Sequence, residues 1–301
     1  MKKAAAIDIG TNSMRLLLAT ILDGQIVYRH KEINTTRIGK AVDENRHISE
    51  EGIRINIEAF SAFVKQARDW GAEEIAAIAT SAVRDAANGE AFASLALEKT
   101  GVEIKIITGE EEAILGYKGV LMGASTTNSK LMVIDIGGGS TELIIGDDRE
   151  ILKAISLNMG AVRMTERVIT TDPVNPEEEE ELYKEIKAIL NKEIVNLKEH
   201  KAEMLIGIGG TATTIAAIHQ ELEPYDPDRV HKYSLSIEEI KGLLISLKSL
   251  SLEERRLLKG LHPKRADIIV AGIAIMVTVM EELGFKELGI SEYDNLEGML
   301  I

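Results

Sequence analysis

Apolar residues at the start of the chain fall into short β-prone runs, 4–9, 14–21 and 24–33, interrupted by Gly10-Thr11-Asn12-Ser13 and by Asp23-Gly24. Small polar and glycine residues between such runs are turn signals, so an antiparallel meander of three strands is predicted. Helical spacing takes over at 49–70, which opens on Ser49 and Glu50-Glu51, and acidic residues behind a hydroxyl cap favour a helix start. A strand at 74–79, a helix near 88–100, a strand at 102–107 and a helix from 109 to about 122 complete the first half. After the connection Gly123–Ser129 the order restarts. Strands are predicted at 130–135, 141–146 and 150–156, helices around 160–170 and 176–199, and a strand at 203–208. A helix opening at Gly209, helices near 236–248, 252–259 and 263–283, a strand at 287–290 and a closing helix at 294–300 finish it. The pattern predicts two related α/β domains.

The repetition extends to particular residues. Ile7-Asp8-Ile9-Gly10-Thr11-Asn12-Ser13 returns as Ile134-Asp135-Ile136-Gly137-Gly138-Gly139-Ser140-Thr141, with the aspartates 127 positions apart. Each copy follows an apolar run and ends in small hydroxyl residues.

Composition narrows the chemistry. The 301 residues contain no cysteine, which removes disulfides, thiolate metal sites and a cysteine nucleophile and suits a reducing cytosol. Only four apolar residues separate Met1-Lys2-Lys3 from Asp8, too few for the apolar stretch of a signal peptide. The longest apolar run, Ile268 to Met280, reads as a buried helix and is too short for a membrane span. A cytoplasmic protein without a membrane partner is expected. A net charge of −14 opposes nucleic-acid binding, so a polyanionic ligand would need a local basic patch drawn from residues such as Arg15, Arg84, Arg163 and Arg265.

A glycine turn exposes successive N–H groups with no side chain in the way, which suits phosphate oxygens. Gly137-Gly138-Gly139-Ser140-Thr141 is therefore a phosphate cradle or simply a tight hairpin, and its pairing with Gly10–Ser13 and with Gly209-Gly210-Thr211 favours the cradle. It is not a Walker loop, because no Lys precedes its Ser. Asp8 and Asp135, at strand ends, either bond their own turns or, as a duplicated pair, hold Mg²⁺ or another divalent cation. Glu142 is a third carboxylate nearby in sequence. In Thr108-Gly109-Glu110-Glu111-Glu112-Ala113, Thr108 and Glu111 form a capping box, which leaves Glu112 about 100° further round the helix and able to act as a base. Arg84, after strand 74–79, either grips a phosphate or pairs with Asp85. The acidic run Glu177–Glu181 follows Asn175-Pro176 and reads as a helix start, not a metal site.

Six phrases in order, Asp8-Ile-Gly-Thr-Asn-Ser, Thr80-Ser-Ala-Val-Arg84-Asp-Ala, Gly109-Glu-Glu-Glu-Ala, Asp135-Ile-Gly-Gly-Gly-Ser-Thr-Glu142, Gly207-Ile-Gly-Gly-Thr-Ala-Thr and Arg265-Ala-Asp-Ile-Ile-Val-Ala-Gly, resemble the exopolyphosphatase and guanosine pentaphosphate phosphohydrolase family. The resemblance covers nearly the whole chain and fits the short, two-domain members. It implies an actin-like ATPase (ribonuclease H-like) fold, two related α/β domains around a central cleft. That cleft would open and close about hinges near 121–129 and before the last helix. The domains would be 1–122, with a C-terminal helix about 286–301 packing back on it, and 123–285. It also implies removal of a terminal phosphate from inorganic polyphosphate or of the 5′ γ-phosphate of pppGpp, with Mg²⁺ and a homodimer. Carried over residue by residue, Glu112 is the base. Arg84 and the turns Thr11, Asn12, Ser13, Gly137–Thr141 and Gly209, Gly210, Thr211 hold phosphates, and Asp8, Asp135 and Glu142 serve metal and water. One phrase departs: after Ser291-Glu292-Tyr293 the family runs Gly-Leu-Arg-Glu-Gly, whereas this chain has Asp294-Asn295-Leu296-Glu297-Gly298. That bears on substrate preference if the missing Arg contacts phosphate. The rival readings are an actin-like nucleotide-switched binding protein, in which slow hydrolysis drives closure, and a kinase of the same fold.

Overall fold

The structure, a computed structural model, describes residues 1–123 and 129–300. It divides into two compact units, Met1–Met122 with Asp294–Ile301, and Gly123–Tyr293. The hinge expected near 121–129 falls largely outside the described residues.

In the first unit β1 (Lys2–Ile9), β2 (Met14–Leu22) and β3 (Gln25–Asn34) form the expected meander, followed by α1 (Val42–Asn45) and α2 (Glu50–Trp70). Next come β4 (Glu74–Ala79), α3 (Ser81–Asp85), α4 (Gly89–Thr100), β5 (Lys105–Ile106) and α5 (Gly109–Gly123). The sheet order is β3-β2-β1-β4-β5, with β1 and β4 parallel. Alternation along β1 sends Ala5, Ile7 and Ile9 to one face, into the core that includes Phe60 and Phe63 of α2 and Phe92 of α4. Ala6 points to the other face, where it meets Leu17, Ala19 and Leu296. Asp8 shares that second face. The predicted strand 102–107 shrinks to two residues, because the N–H of Val102 bonds the Thr100 hydroxyl (3.2 Å) while Val102 and Ile104 stay buried.

The second unit repeats the plan with β6 (Leu131–Ile136), β7 (Thr141–Gly146), β8 (Ile151–Leu157), α6 (Ala161–Val168), α7 (Pro176–Leu190), α8 (Ile194–Glu199), β9 (Met204–Ile208) and α9 (Gly209–His219). Then follow α10 (Pro227–Val230), β10 (Ser234–Ser236), α11 (Ile237–Ser249), α12 (Leu252–Arg255), α13 (Ile269–Leu283) and β11 (Glu287–Ile290). The sheet order β10-β11-β9-β6-β7-β8 matches the first sheet strand for strand, with β10 added at the edge. The apolar run 269–280 is buried throughout, as the core helix it was read to be. Asn175 caps α7 by accepting from the N–H of Glu178 (2.8 Å), so the acidic run is a helix start. The single helix predicted at 176–199 is two, broken at Asn191, a weak helix former. The helix predicted at 263–283 begins with a 3₁₀ turn at Pro263–Arg265 and becomes α-helical only at Ile269.

The last segment needs correction. Residues 287–290 form the strand expected there, β11, which pairs in parallel with β9 inside the second sheet, so the segment belonging with the first unit does not begin at 286. Only from Asp294 does the chain belong to the first unit, where α14 (Asn295–Gly298) closes it.

Candidate active site

The turn after β6 is shaped by what its carbonyls do. The oxygen of Gly137 accepts from the N–H of Ala161 (2.9 Å), that of Gly138 from Val162 and Arg163 (2.9 and 3.0 Å), and that of Gly139 from Arg163 Nε (2.6 Å). In a trans peptide the C=O of one residue and the N–H of the next point opposite ways. Pinning three successive carbonyls to the start of α6 therefore aims the N–H groups of Gly138, Gly139 and Ser140 the other way, where they find no acceptor among the described residues. Three convergent N–H donors make an anion nest. Gly160 is required beside it: a Cβ there would lie 2.5 Å from Gly138 O and 2.6 Å from Gly139 N. Thr141 does not face the nest but donates its hydroxyl to Met159 O (2.6 Å), tying the turn to the segment before α6.

The turn after β1 is the same device in other materials. Gly10 N to Ser13 O closes it at 3.0 Å, as Gly137 N to Ser140 O closes the second. Thr11 O and Asn12 O are pinned by the N–H groups of Gly39 and Arg37, both at 2.9 Å, which aims the N–H groups of Asn12 and Ser13 outward. Here the brace is loop backbone, with Arg37 held at φ 51° in the left-handed region, where the second turn uses a helix start and the Arg163 side chain. Thr11 Oγ1 bonds Ser81 Oγ (2.8 Å) and so ties the turn to α3.

α3 carries Arg84, and α5 carries Glu112. Arg84 NH1 donates to Ile107 O (3.0 Å) and lies 3.4 Å from Glu112 Oε2, while its Nε is 4.0 Å from Asp85. Glu112 is buried on the first turn of α5, and the Thr108–Glu111 capping box is present with both reciprocal bonds (2.9 and 3.1 Å). Lys105, with the Thr108 groups, holds the exposed Glu111 carboxyl below its ordinary range. Arg84 and Glu112 are thus brought together. A separate cavity of about 730 Å³ in this unit mixes apolar residues such as Val102, Ile107, Ile114 and Met299 with Arg68, Glu73, Glu103, Lys105 and Glu111.

In the second unit Asp135 and Glu142 are direct cross-strand partners on β6 and β7, and Ser156 on β8 donates to Glu142 Oε1 (2.7 Å). Both acids are nearly fully buried. Gly209, at φ 72°, starts α9 beside Asp135, whose carboxylate occupies the space a Cβ would take. Thr211 Oγ1 bonds Ile136 O (2.9 Å), which fastens the start of α9 to the end of β6, and the Arg265 guanidinium lies against the bare face of Gly210. Sequence reading named Arg163 and Arg265 only as members of a basic patch, without the bond of Arg163 to Gly139 or the contact of Arg265 with Gly210, and did not weigh Gly160 or Gly39. The only local signal for Arg163 and Gly160 was a glycine opening a helix shortly after a strand.

Two buried acids side by side on neighbouring strands disfavour a shared negative charge, and a divalent cation would relieve it. The first unit differs: Asp8 Oδ2 is ion-paired with Arg15, while its Oδ1 is buried without a hydrogen-bond partner among the described residues. No cluster of three or more acidic or histidine ligands exists among the described residues.

A meander, a parallel strand, an acid-bearing glycine turn and a helix start after the parallel strand, built twice, define a protein of the actin-like ATPase fold. Comparison with known proteins narrows this. The profile of the Ppx/GppA phosphatase family matches residues 17–301. A bifunctional 3-dehydroquinate synthase/phosphatase of Fusobacterium nucleatum is 33% identical over 99% of this chain, which spans 46% of that longer protein. Exopolyphosphatase 2 of Mycobacterium tuberculosis is 29% identical, with 100% of this chain and 98% of the relative covered. The crystal structure of an Aquifex aeolicus Ppx/GppA family member superposes with a TM-score of 0.82 at 32% identity, covering 99% of this chain and 96% of that one. The chain belongs to the Ppx/GppA phosphatase family and is a hydrolase of that class.

Proposed function

We propose that this protein is an exopolyphosphatase that releases terminal orthophosphate from inorganic polyphosphate, with Glu112 as general base. The observation that carries the reading is the pair of turns whose carbonyls are pinned back and whose N–H groups face outward, with a buried carboxylate and a guanidinium set together on α5 and α3. Phosphoanhydride hydrolysis is chiefly a matter of positioning and charge stabilisation. The N–H groups of Asn12, Ser13, Gly138, Gly139 and Ser140, with Gly209, Gly210 and Thr211 at the start of α9, hold phosphate oxygens. Arg84 steadies Glu112 and offsets charge on the phosphoryl group, and Glu112 takes the proton of the attacking water. Asp8 Oδ1, buried and unpartnered among the described residues, accepts a hydrogen bond from that water. Asp135 and Glu142 would hold Mg²⁺, which would supply charge neutralisation for the phosphoryl group. The exopolyphosphatase names of relatives such as that of M. tuberculosis support the choice of substrate.

The test is phosphate release from polyphosphate, with pppGpp as competitor, by wild type and Glu112→Gln. Loss of a general base predicts a fall in kcat of about 10²–10⁴-fold. Wild-type activity in the variant would refute the base assignment, and stronger turnover of pppGpp would reassign the substrate to the guanosine pentaphosphate.

A further inference from the structure

The C-terminal turn is bound into the first unit by charge, in a place where charge is costly to bury. Arg15 divides its guanidinium: Nε and NH2 go to Asp8 Oδ2, and NH1 goes to Asp294 Oδ2 at 2.8 Å. Asp294 divides its carboxylate in turn. Its Oδ1 caps α14 by accepting from the Leu296 N–H (3.0 Å), while Oδ2 takes Arg15 and Lys31 (3.1 Å). Lys31 also reaches Glu297 (3.0 Å), and Arg29 lies 3.5 Å from the same carboxylate. The side chains of Asp8, Asp294 and Glu297 are only 5%, 7% and 0% exposed. Breaking a buried pair is expensive, so the network locks the rotamers of its members.

The same turn touches the helix that carries Glu112. A Cβ on Gly119 would overlap the Asp294 carbonyl, and one on Gly298 would overlap that of Leu115, so α14 and α5 meet backbone to backbone. Asp294 stands at the position where the resembling phrase has glycine, so the carboxylate that grips Arg15 belongs to this chain's own departure from the pattern.

We propose that Asp294 is a positioning residue for the hydrolytic reaction: through Arg15 it fixes the Asp8 carboxylate with Oδ2 tied and Oδ1 free to orient water. This inference rests on the active-site reading above. A carboxylate held on one oxygen by a two-bond fork cannot rotate without breaking that fork, and the fork cannot swing while Asp294 holds its third nitrogen. The arrangement explains why Asp8 is ion-paired yet keeps one oxygen unpartnered.

The experiment is a double-mutant cycle of Asp294→Asn and Asp8→Asn, read as kcat and KM for polyphosphate. Asparagine keeps an oxygen to cap α14 but can present a donor where Arg15 needs an acceptor. Asp294→Asn should lower kcat about tenfold with KM unchanged, as expected for a misplaced catalytic group. In the Asp8→Asn background it should cost nothing further. An effect that persists in full in that background, or an unchanged kcat in Asp294→Asn, overturns the proposal while leaving the active-site reading intact. Wild-type activity in Asp8→Asn overturns that reading and this inference together. If the Asn variant fails to fold, Asp294→Ser, which also caps a helix, takes its place in the cycle with the same expected outcomes.

Discussion

The hairpins after β1 and β6 are two builds of one part, and they differ where it matters for charge. Each closes with the same glycine-to-serine bond, pins its carbonyls back and turns its N–H groups outward. Position for position, however, the cross-strand partner of the aspartate is Arg15 in the first and Glu142 in the second. The first hairpin neutralises its acid internally. The second sets acid beside acid, an arrangement in which a bound cation would be favourable. The two hairpins therefore share the geometry of the anion nest and differ in their electrostatics, and the metal proposed above goes with the second.

The largest effect that could break this comparison is on the nests themselves. Gly160→Ala places a methyl against the backbone of Gly138 and Gly139, which cannot give way without turning the N–H donors. Loss of such preorganised donors should lower kcat on the order of 100-fold. Gly39→Ala meets chiefly the Thr11 methyl and should cost clearly less. Equal losses in the two variants would show that the braces are equivalent.

Next is the metal. Glu142→Gln should raise the Mg²⁺ concentration needed for half-maximal phosphate release by about tenfold, in the range seen when a metal's supporting carboxylates are removed. Arg15→Gln should leave that concentration unchanged, and a comparable shift in both variants would place the ion at both hairpins.

The remaining effect is on stability, not on turnover. Burial pushes the Asp294 carboxyl up, but Arg15 and Lys31 outweigh it and hold it down at about 2, against an ordinary 3.8. A depressed carboxylate stabilises the fold above its unfolded pKa and loses that contribution as pH falls through its folded one. Asp294→Asn should therefore be less stable than wild type at pH 7 by on the order of 2 kcal/mol. The two thermal melts should converge as pH drops from about 4 towards 2. A gap that persists at the acid end would mean that the segment is held by packing alone.

Much of this was legible in the chain. The alternation of β1 and β2, the helix start at Ser49, the capping box at Thr108 and the buried run at 269–280 follow from local rules, and local rules are what a sequence displays. The twin aspartates were visible as a repeated phrase. Their unlike partners were also in the text, since Arg15 and Glu142 stand at equal distances from Asp8 and Asp135. That fact gained meaning only once the strand register made each pair cross-strand neighbours. Arg163 and Gly160 were illegible because their work is done on a carbonyl more than twenty residues away. The strand predicted at 102–107 shortened to 105–106 because Val102 and Ile104 are buried outside the strand: hydrophobicity reports burial, not hydrogen bonding.

What the sequence determined alone is the order of elements, the duplicated turn and the set of residue types able to bind phosphate, because these depend on periodicity and side-chain chemistry. The tertiary structure decided which way the turn N–H groups face, that Arg84 meets Glu112, and that Asp294 closes a charge network with Arg15 and Lys31. Those outcomes depend on contacts between residues distant along the chain, and only the packing of strands and helices sets them.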